Sequence, residues 1–338
     1  MSQLRLNPLT GRWVNIALER AARPADLDTR HLPVESGPPR PCPFCPGNEE
    51  ATPPALEAYG PAGQWLVRIV PNLYPAFDGS EPMTLAHLGP VWVEAPASGL
   101  HEVLVLSPAH DRELPEFDDR QAGLVMAAVR DRLEEHARHA AIRYTQVLVN
   151  HGREAGASLE HPHGQLLGMP FVPGELIEEL SGFARLRDGA CLLCTTWRAE
   201  RDAGHRIVLD DERVSVFCPF WSGSPYEMLI VPKTHNAHLA RSTPRDVAAV
   251  GHALRTALDR LRRGVDDPAY NVVFHTAPHH EDDAAFHWHM HVLPRITSVA
   301  GFEQGTGVLI NIVPPELAAR RLNAVRRPEA TEVIARPG

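Results

Sequence analysis

The sequence has little lysine, tyrosine or cysteine, and it has no long apolar run. Its 338 residues include one lysine, Lys233, five tyrosines and five cysteines. No stretch approaches the roughly 20 apolar residues that a membrane-spanning helix needs. The opening residues, MSQLRLNPLTGRW, contain no apolar segment typical of a secretory signal. We therefore expect a cytoplasmic protein that has no membrane partner.

Positive charge is also in deficit. The chain has 42 acidic against 33 basic residues, a formal net charge of −9. That balance disfavours general affinity for the phosphate backbone of nucleic acids, so no nucleic-acid partner is expected. Hydrophobic residues make up 43% and charged residues 22%, as in ordinary globular proteins. The composition excludes wholesale disorder, collagen and coiled coil, and the length predicts two domains or one large one.

Cysteine is scarce but patterned. Four of the five cysteines form two Cys-x-x-Cys pairs, Cys42/Cys45 and Cys191/Cys194, and the chain also has 19 histidines. In a reducing compartment such pairs are metal ligands or redox dithiols more often than disulfides. Plain buried thiols are the remaining alternative.

An internal repeat organises the chain. HEVLVLSPAH at 101–110 matches YEMLIVPKTH at 226–235, an offset of 125, and each predicts a short strand that runs into a turn ending in His. The next elements also recur, the strands at an offset of 126: helical patterns at 119–139 and 244–263, strands at 144–149 and 270–275, and histidine-rich strands at 161–165 and 287–291. Thr243 or Ser242 is a candidate cap of the second helix.

This order predicts an α+β protein made of two duplicated half-domains, 1–175 and 176–338. Each half is expected to be a mostly antiparallel sheet with a helix laid across it. The proline-rich residues 23–63 are expected to form surface loop, and 314–338 one helix followed by a frayed end.

Each half carries four candidate zinc ligands in the same order. Two thiolates at Cys-x-x-Cys spacing can occupy two corners of a tetrahedral zinc site, and a turn histidine and a strand histidine can supply the others. The two predicted sets are Cys42, Cys45, His110, His161 and Cys191, Cys194, His235, His287. His238 is the alternative to His235.

The motif HPHGQ at 161–165 is the sharpest in the chain. On an extended strand the side chains of His161, His163 and Gln165 project to one side. Pro162 cannot donate to a sheet ladder, so it predicts an edge or a bulge at this point. Upstream, a small polar segment between Asn150 and Ser158 is suited to approach a phosphate.

The chemistry of this motif favours phosphoryl or nucleotidyl transfer. Neutral imidazole is a nucleophile towards phosphorus near pH 7, and a covalent phosphoramidate divides one difficult transfer into two easier ones. His163 is therefore the candidate nucleophile. Gln165 is placed to hold the non-bridging oxygens of the transferring group.

The chain resembles the galactose-1-phosphate uridylyltransferase family, a branch of the histidine-triad superfamily, from about residue 5 to 325. The motifs that carry the resemblance are NPLTGRW at 7–13, ERAARP at 19–24, CPFC at 42–45 and HPHGQ at 161–165. The resemblance implies a uridylylated His163 and a homodimer. It also implies that phosphate is contacted by Arg20, Arg23, Asn150, Ser158 and Gln165. Asn72 is expected near the nucleoside, and Glu303 is expected to contact the hexose.

Two features complicate the resemblance. The better-known bacterial members of the family hold a second metal, iron or zinc, and the matching residues are Glu179, His275, His289 and His291. The second Cys-x-x-Cys pair instead resembles the ADP-glucose phosphorylase branch, which implies zinc on that pair with His235 and His287. Leu73 and Leu309 stand where the family usually has Asp and Gln.

The resemblance implies exchange of UMP between UDP-glucose and galactose 1-phosphate, so the expected partners are a nucleotide sugar and a sugar 1-phosphate. The alternatives are an ADP-glucose phosphorylase and a histidine-triad nucleotide hydrolase. A glutamine at 165 cannot shuttle protons, which disfavours hydrolysis. A zinc-stapled nucleic-acid module is the non-enzymatic alternative, and the net charge opposes it.

Overall fold

The computed structural model describes residues 2–22, 41–186, 190–281 and 284–325. The α-helices in these residues are α1 (Asp119–His136), α2 (Gly174–Phe183), α3 (Leu192–Ala203), α4 (Pro244–Gly264), α5 (Gly301–Thr306) and α6 (Pro315–Ala324). The strands are β1 (Gln3–Leu6), β2 (Trp13–Ile16), β3 (Glu57–Tyr59), β4 (Val67–Pro71), β5 (Ala86–His87), β6 (Val93–Glu94), β7 (Leu100–Val105), β8 (Tyr144–His151), β9 (His163–Met169), β10 (Ile207–Asp210), β11 (Val214–Phe217), β12 (Met228–Pro232), β13 (Tyr270–His275), β14 (His289–Pro294) and β15 (Leu309–Asn311).

One large antiparallel sheet dominates the fold. Its ten strands lie in the order β10-β11-β12-β14-β13-β8-β9-β7-β4-β3. Strands β8 and β13 form the central pair. From β8 outward the order is β9, β7, β4 and β3, and from β13 outward the equivalent strands of the second half follow as β14, β12, β11 and β10. Each half of the repeat therefore supplies five strands. The prediction of an α+β protein with two related halves is confirmed, and the halves share a continuous sheet. The boundary at 175/176 stays a prediction.

The register of the sheet refines the repeat. Val103 of β7 pairs with Gln165 of β9, and Leu229 of β12 pairs with His291 of β14. Both members of the second pair lie 126 residues after their counterparts, although the turn histidines that follow, His110 and His235, are 125 apart. The second half therefore has one residue fewer between strand and turn.

Two helices cover one face of this sheet and pack on each other. Helix α1 begins after Asp118, whose side chain accepts the Gln121 N–H at 2.8 Å, and α4 begins after Thr243, whose hydroxyl accepts the Asp246 N–H at 3.2 Å. Such a cap stabilises a helix by about 1 kcal/mol. The Thr243 alternative for the cap is confirmed. The buried side chains of both helices share one core with β8 and β13.

Backbone contact between these helices requires small residues. A Cβ built on Gly251 of α4 would lie 2.6 Å from the carbonyl oxygen of Ala122 in α1. Real side chains do not approach so closely, so glycine at 251 allows the two helices to approach backbone to backbone. A Cβ on Gly123 of α1 would meet only Ala248, at an ordinary 3.7 Å.

The expectation for Pro162 is wrong. Strand β9 lies in the interior of the sheet, between β8 and β7, and it begins at His163. Pro162 precedes the strand, so its missing N–H removes no ladder bond, while its carbonyl accepts the Leu106 N–H at 3.0 Å. The physical rule holds, but the proline marks the start of a central strand instead of an edge.

Smaller elements are found near both ends of the chain and in the segment that precedes β4. Strands β1, β2 and β15 form a three-stranded sheet in that order, so β2 pairs with the last strand and β1 lies at the edge. The predicted proline-rich loop lies partly outside the described residues, and its described part contains turns and β3. The predicted C-terminal helix is α6, and the end beyond residue 325 is also outside the described residues. No described helix combines the length and apolarity needed to cross a bilayer.

Candidate active site

Two thiols and two imidazoles meet where the 42–45 turn packs beside the start of β9. Cys45 Sγ lies 3.4 Å from Nδ1 of His110 and 3.6 Å from Nδ1 of His161, and Cys42 Sγ lies 3.7 Å from the latter. Such separations suit ligands on a tetrahedral ion with bonds of about 2.0–2.3 Å. His161 Nε2–H donates to the Ser107 carbonyl at 2.8 Å, which leaves Nδ1 free to ligate.

The next histidine along the strand is oriented by the first. His163 Nδ1–H donates to the backbone carbonyl of His161 at 2.8 Å. In a neutral imidazole the proton on Nδ1 leaves the lone pair on Nε2. Burial lowers the pKa of His163, although the carbonyl of His161 opposes this. The ring is therefore held as a neutral base with a defined attacking atom.

The Nε2 atom of His163 carries the lone pair of the ring. His163 is 6% exposed, and among the described residues no hydrogen-bond partner lies at Nε2. Phe44, from the Cys-x-x-Cys turn, packs 5.4 Å from the His163 ring and 6.0 Å from the His161 ring. The phenyl ring therefore packs against the candidate nucleophile and against the candidate zinc ligand that precedes it.

A polar loop follows β8 and leads to this histidine. Asn150 lies at the end of β8, and its side-chain oxygen accepts a hydrogen bond from Asn271 Nδ2 at 2.7 Å. The same Asn271 amide donates to the Ala155 carbonyl at 2.8 Å, so a residue of the second half holds both ends of the loop's first turn. Gly152 and Gly156 take positive φ values of 80° and 87°, which shape this turn. Ser158 lies exposed after the turn.

Gln165 is held on the strand by a residue of the neighbouring strand. Its Oε1 lies 2.8 Å from Nε2 of His101 in β7. Asn72, which follows β4, places its Nδ2 3.1 Å from the same ring nitrogen, and its Oδ1 accepts the Tyr74 N–H at 2.9 Å. The residues predicted to contact phosphate and nucleoside, Gln165 and Asn72, therefore meet at one imidazole.

The second Cys-x-x-Cys pair gathers its own histidines. Cys191 and Cys194 each lie 3.5 Å from Nδ1 of His287, and Cys194 lies 3.8 Å from Nδ1 of His235. His235 Nε2–H donates to the Ala284 carbonyl at 2.9 Å, which again leaves Nδ1 for a metal. His238 does not join this cluster, because its Nε2 points to the Glu281 carbonyl at 3.1 Å.

A third cluster surrounds His289, the residue of the second half that corresponds to His163. Glu179 of α2 reaches His275 Nδ1 at 2.8 Å, and both His289 Nε2 and His291 Nε2 lie 3.8 Å from its carboxylate. Burial opposes the charge of Glu179, yet the imidazoles of His275 and His289 hold its pKa well below the ordinary value. A carboxylate with three imidazoles is a donor set that suits iron or zinc.

The two halves thus use the same backbone geometry differently. His289 Nδ1–H donates to the His287 carbonyl at 2.9 Å, as His163 does to His161. However, His289 is fully buried, and its Nε2 lies 3.1 Å from His291 Nε2 beside Glu179. Of these two imidazoles, only that of His163 has an Nε2 without a hydrogen-bond partner among the described residues.

Two of the remaining predicted residues lie in short helical elements, and the third lies outside the described residues. Arg20 is half-buried in the short helical turn Leu18–Ala22, and Arg23 lies outside the described residues. Glu303 accepts the Ala300 N–H at 3.1 Å within α5.

The motifs do not reveal the residues that support the predicted ones. His101 and Asn271 each touch a predicted ligand-binding amide, while Ser107 and Phe44 contact the histidines. His101 belongs to the repeated motif, in which it marks only the start of a strand. Its pairing with Gln165 depends on strand order, which periodicity does not show.

The chain matches known proteins along nearly its whole length. A family model described as "Galactose-1-phosphate uridyl transferase, N-terminal domain" matches residues 1–173, and one for a domain of unknown function matches 119–337. An ADP-glucose phosphorylase of Arabidopsis thaliana is 31% identical, over 96% of this chain and 93% of the relative. A galactose-1-phosphate uridylyltransferase of Thermotoga maritima is 28% identical, over 95% of this chain and 98% of the relative.

A solved structure has the same fold. The crystal structure of an ADP-glucose phosphorylase from Arabidopsis thaliana with bound ADP-glucose superposes with a TM-score of 0.82 at 30% sequence identity. The match covers 96% of this chain and 99% of that one.

Proposed function

The chain belongs to the galactose-1-phosphate uridylyltransferase family of nucleotidyltransferases, and on that premise we propose that it exchanges UMP between UDP-glucose and galactose 1-phosphate. The observation that carries the proposal is the His163 ring, whose Nδ1–H is bound to the His161 carbonyl and whose Nε2 has no hydrogen-bond partner among the described residues.

The first half-reaction forms a bond from nitrogen to phosphorus. The Nε2 lone pair of His163 attacks the α-phosphorus of UDP-glucose, and the bond from that phosphorus to the bridging oxygen breaks. Glucose 1-phosphate leaves with the bonding electrons. The imidazole keeps its Nδ1 proton and becomes cationic, and the His161 carbonyl, 2.8 Å away, stabilises the charge.

The second half-reaction reverses the chemistry with another acceptor. A phosphate oxygen of galactose 1-phosphate attacks the same phosphorus, the bond to Nε2 breaks, and UDP-galactose forms. His163 returns to the neutral state with its proton still on Nδ1. Because the acceptor oxygen is already ionised, no general base is needed, which suits glutamine at position 165.

The surrounding amides are proposed to hold the phosphates. Gln165 Nε2 donates to the non-bridging oxygens of the transferring group, Asn150 and Ser158 contact phosphate, and Asn72 lies beside the nucleoside. Arg20, Arg23 and Glu303 are proposed to bind the sugar phosphate at the edge of the site, with a second copy of the chain as partner. Preorganised donors of this kind stabilise the transition state, each by about 3–4 kcal/mol.

Metal ions are proposed to stabilise these positions without entering the reaction. The thiolate and imidazole donors of Cys42, Cys45, His110 and His161 suit a structural zinc, which would hold the strand that precedes His163. Cys191, Cys194, His235 and His287 suit a second zinc. Glu179, His275, His289 and His291 suit a further zinc or iron.

Adenylyl transfer from ADP-glucose to inorganic phosphate is the second candidate. The observations that favour it are the 31% identity with an ADP-glucose phosphorylase and the second thiol pair with its two histidines. Water as acceptor, the hydrolase alternative, has less support because the imidazole corresponding to His163 in the second half is fully buried.

Single-turnover measurements separate the two transferases. The protein is mixed with UDP-glucose or with ADP-glucose, without acceptor, and release of glucose 1-phosphate is followed. The proposal expects one equivalent released from UDP-glucose, with nucleotide retained on the protein. A large preference for ADP-glucose would assign the second candidate, and release of free UMP or AMP would assign the hydrolase.

A further inference from the structure

His101 makes a contact at each of its ring nitrogens, and together they determine where its proton lies. The backbone N–H of Ala76 points at Nδ1 with a separation of 3.0 Å, and Gln165 Oε1 lies 2.8 Å from Nε2. A backbone N–H can only donate, so Nδ1 must carry the lone pair of a neutral ring. The proton is therefore on Nε2, where the Gln165 oxygen accepts it.

A third contact tests this assignment. Asn72 Nδ2 lies 3.1 Å from the same Nε2. If Nε2 accepted from Asn72, the proton would move to Nδ1 and face the Ala76 N–H, and the Nε2 lone pair would face the Gln165 oxygen. That tautomer makes two unfavourable contacts, whereas protonation at Nε2 leaves only the Asn72 amide without an acceptor there.

The tautomer also decides which way the Gln165 amide is turned. With Oε1 bound to His101, the NH₂ group faces away from the imidazole, on the strand face that Gln165 shares with His163. A glutamine amide rotated by half a turn would present its oxygen to the substrate and repel the phosphoryl oxygens. We propose that His101 is a positioning residue that holds the Gln165 amide in its donating orientation during nucleotidylation of His163.

The second half of the repeat supports this role independently. In the register of the sheet, Gln165 corresponds to His291 and His101 corresponds to Glu227, each pair being 126 residues apart. Glu227 Oε1 lies 3.7 Å from His291 Nδ1. Equivalent positions in the two halves thus place a side chain beside Gln165 in the first motif and beside His291 in the second. The chemistry is matched: a donor faces the amide oxygen, and an acceptor faces the imidazole.

The inference rests on the proposed function, because it concerns the same chemical step. Its test uses two substitutions of similar length, His101→Gln, which can donate to Gln165, and His101→Met, which cannot. Both are made in the full-length protein and in the Gln165→Ala background. Thermal unfolding of each variant reports folding. The readouts are the single-turnover rate of His163 nucleotidylation and the KM for the nucleotide sugar, with UDP-glucose and ADP-glucose both used as probes.

We expect His101→Met to slow nucleotidylation by about 10–100-fold with KM changed by less than about threefold, as for loss of a supporting partner. His101→Gln should recover most of the rate. In the Gln165→Ala background, His101→Met should change the rate by less than about threefold, because the amide it orients is gone.

Three results would overturn the inference. They are an unchanged rate in His101→Met, an equal loss in His101→Gln and His101→Met, or the same loss with and without Gln165. A purely structural role predicts the last of these. If the unsubstituted protein is nucleotidylated by neither nucleotide sugar, the proposed function fails first and this inference fails with it, so the two failures are distinguishable.

Discussion

The His163 imidazole donates its Nδ1 proton to the backbone carbonyl of His161, 2.8 Å away. One residue thereby joins the cysteine-rich cluster to the reacting atom, because His161 Nδ1 faces Cys42 and Cys45 while its carbonyl orients the next histidine. The proposed metal at the first cluster and the proposed attack by His163 are therefore linked through the backbone of a single residue. In the second half, His289 donates its Nδ1 proton to the His287 carbonyl in the same way, but its Nε2 lies 3.1 Å from His291 Nε2.

This coupling predicts different consequences for the two thiol clusters. Cys45→Ser should lose one equivalent of zinc and should slow nucleotidylation of His163 by at least about 10-fold, because the carbonyl that orients the ring is no longer anchored. Metal content by mass spectrometry and single-turnover labelling measure the two effects.

The matched control is Cys194→Ser in the second cluster. It should also lose one equivalent of zinc, but it should retain labelling of His163 within about threefold in protein that remains folded. Equal loss of labelling in both variants would contradict the coupling through His161.

The loop after β8 depends on a residue of the other half. Asn271→Ala removes the donor to Asn150 and to the Ala155 carbonyl, so the Asn150 amide becomes free to rotate. We expect kcat/KM for the nucleotide sugar to fall by about 10-fold or more. The control is Asn236→Ala, which removes an exposed hydrogen bond from the side-chain amide to the Arg241 carbonyl. It should leave kcat/KM unchanged. Equal values for both variants would exclude this role of Asn271.

Packing of α1 on α4 predicts opposite effects of two glycine substitutions. Alanine is favoured over glycine within a helix by about 1 kcal/mol. At Gly251 the added Cβ would meet the Ala122 carbonyl oxygen at 2.6 Å, so Gly251→Ala should destabilise the fold by about 1–3 kcal/mol. Gly123→Ala meets only an ordinary contact and should stabilise it by about 0.5–1 kcal/mol. Urea unfolding measures both changes, and a stabilising Gly251→Ala would refute the close approach.

The environment of Glu113 should make the free energy of unfolding depend on pH. Burial, with the neighbouring charges of Asp267 and Glu116, raises the pKa of Glu113 to about 7. A carboxyl whose folded-state pKa is raised favours the folded state at low pH, and this contribution is lost as pH rises from about 4.5 to 7. Glu113→Gln should therefore stabilise the protein at pH 8 relative to pH 5. We expect about 1–2 kcal/mol, since the side chain is partly exposed and screened.

Glu116→Gln is the control with the opposite sign. The guanidinium of Arg262, 2.7 Å away, holds the pKa of Glu116 below its ordinary value, so its charge favours folding at neutral pH. Its substitution should lower the free energy of unfolding at pH 8. Equal changes for Glu113→Gln at pH 5 and pH 8 would contradict the account of Glu113.

Local pattern was enough to predict much of the fold. The strand predicted at 270–275 has the same bounds as β13, and the helix predicted at 119–139 ends three residues earlier at His136. The repeat predicted two related halves because apolar residues and histidines recur at a nearly constant offset along the chain. The continuous sheet could not be predicted, because pairing of β8 with β13 depends on long-range register.

Short motifs were enough to predict the candidate reacting groups, but they did not predict the residues that hydrogen-bond to those groups. His163 and Gln165 stand two residues apart in one motif, so strand geometry alone places them on one face. Asn271 and Asn150 are 121 residues apart, and only the sheet register brings them together. Pro162 shows the converse limit, since a local rule predicted an edge and strand order placed β9 in the interior.

The most direct test is to trap the covalent intermediate on His163. The unsubstituted protein and His163→Asn are each mixed with UDP-glucose and with ADP-glucose, and the intact mass is measured, followed by peptide mapping under conditions that preserve acid-labile bonds. We predict one nucleotidyl group per chain on His163 of the unsubstituted protein and none on His163→Asn. An unmodified protein with both nucleotide sugars, or an equal adduct on His163→Asn, would contradict the central claim.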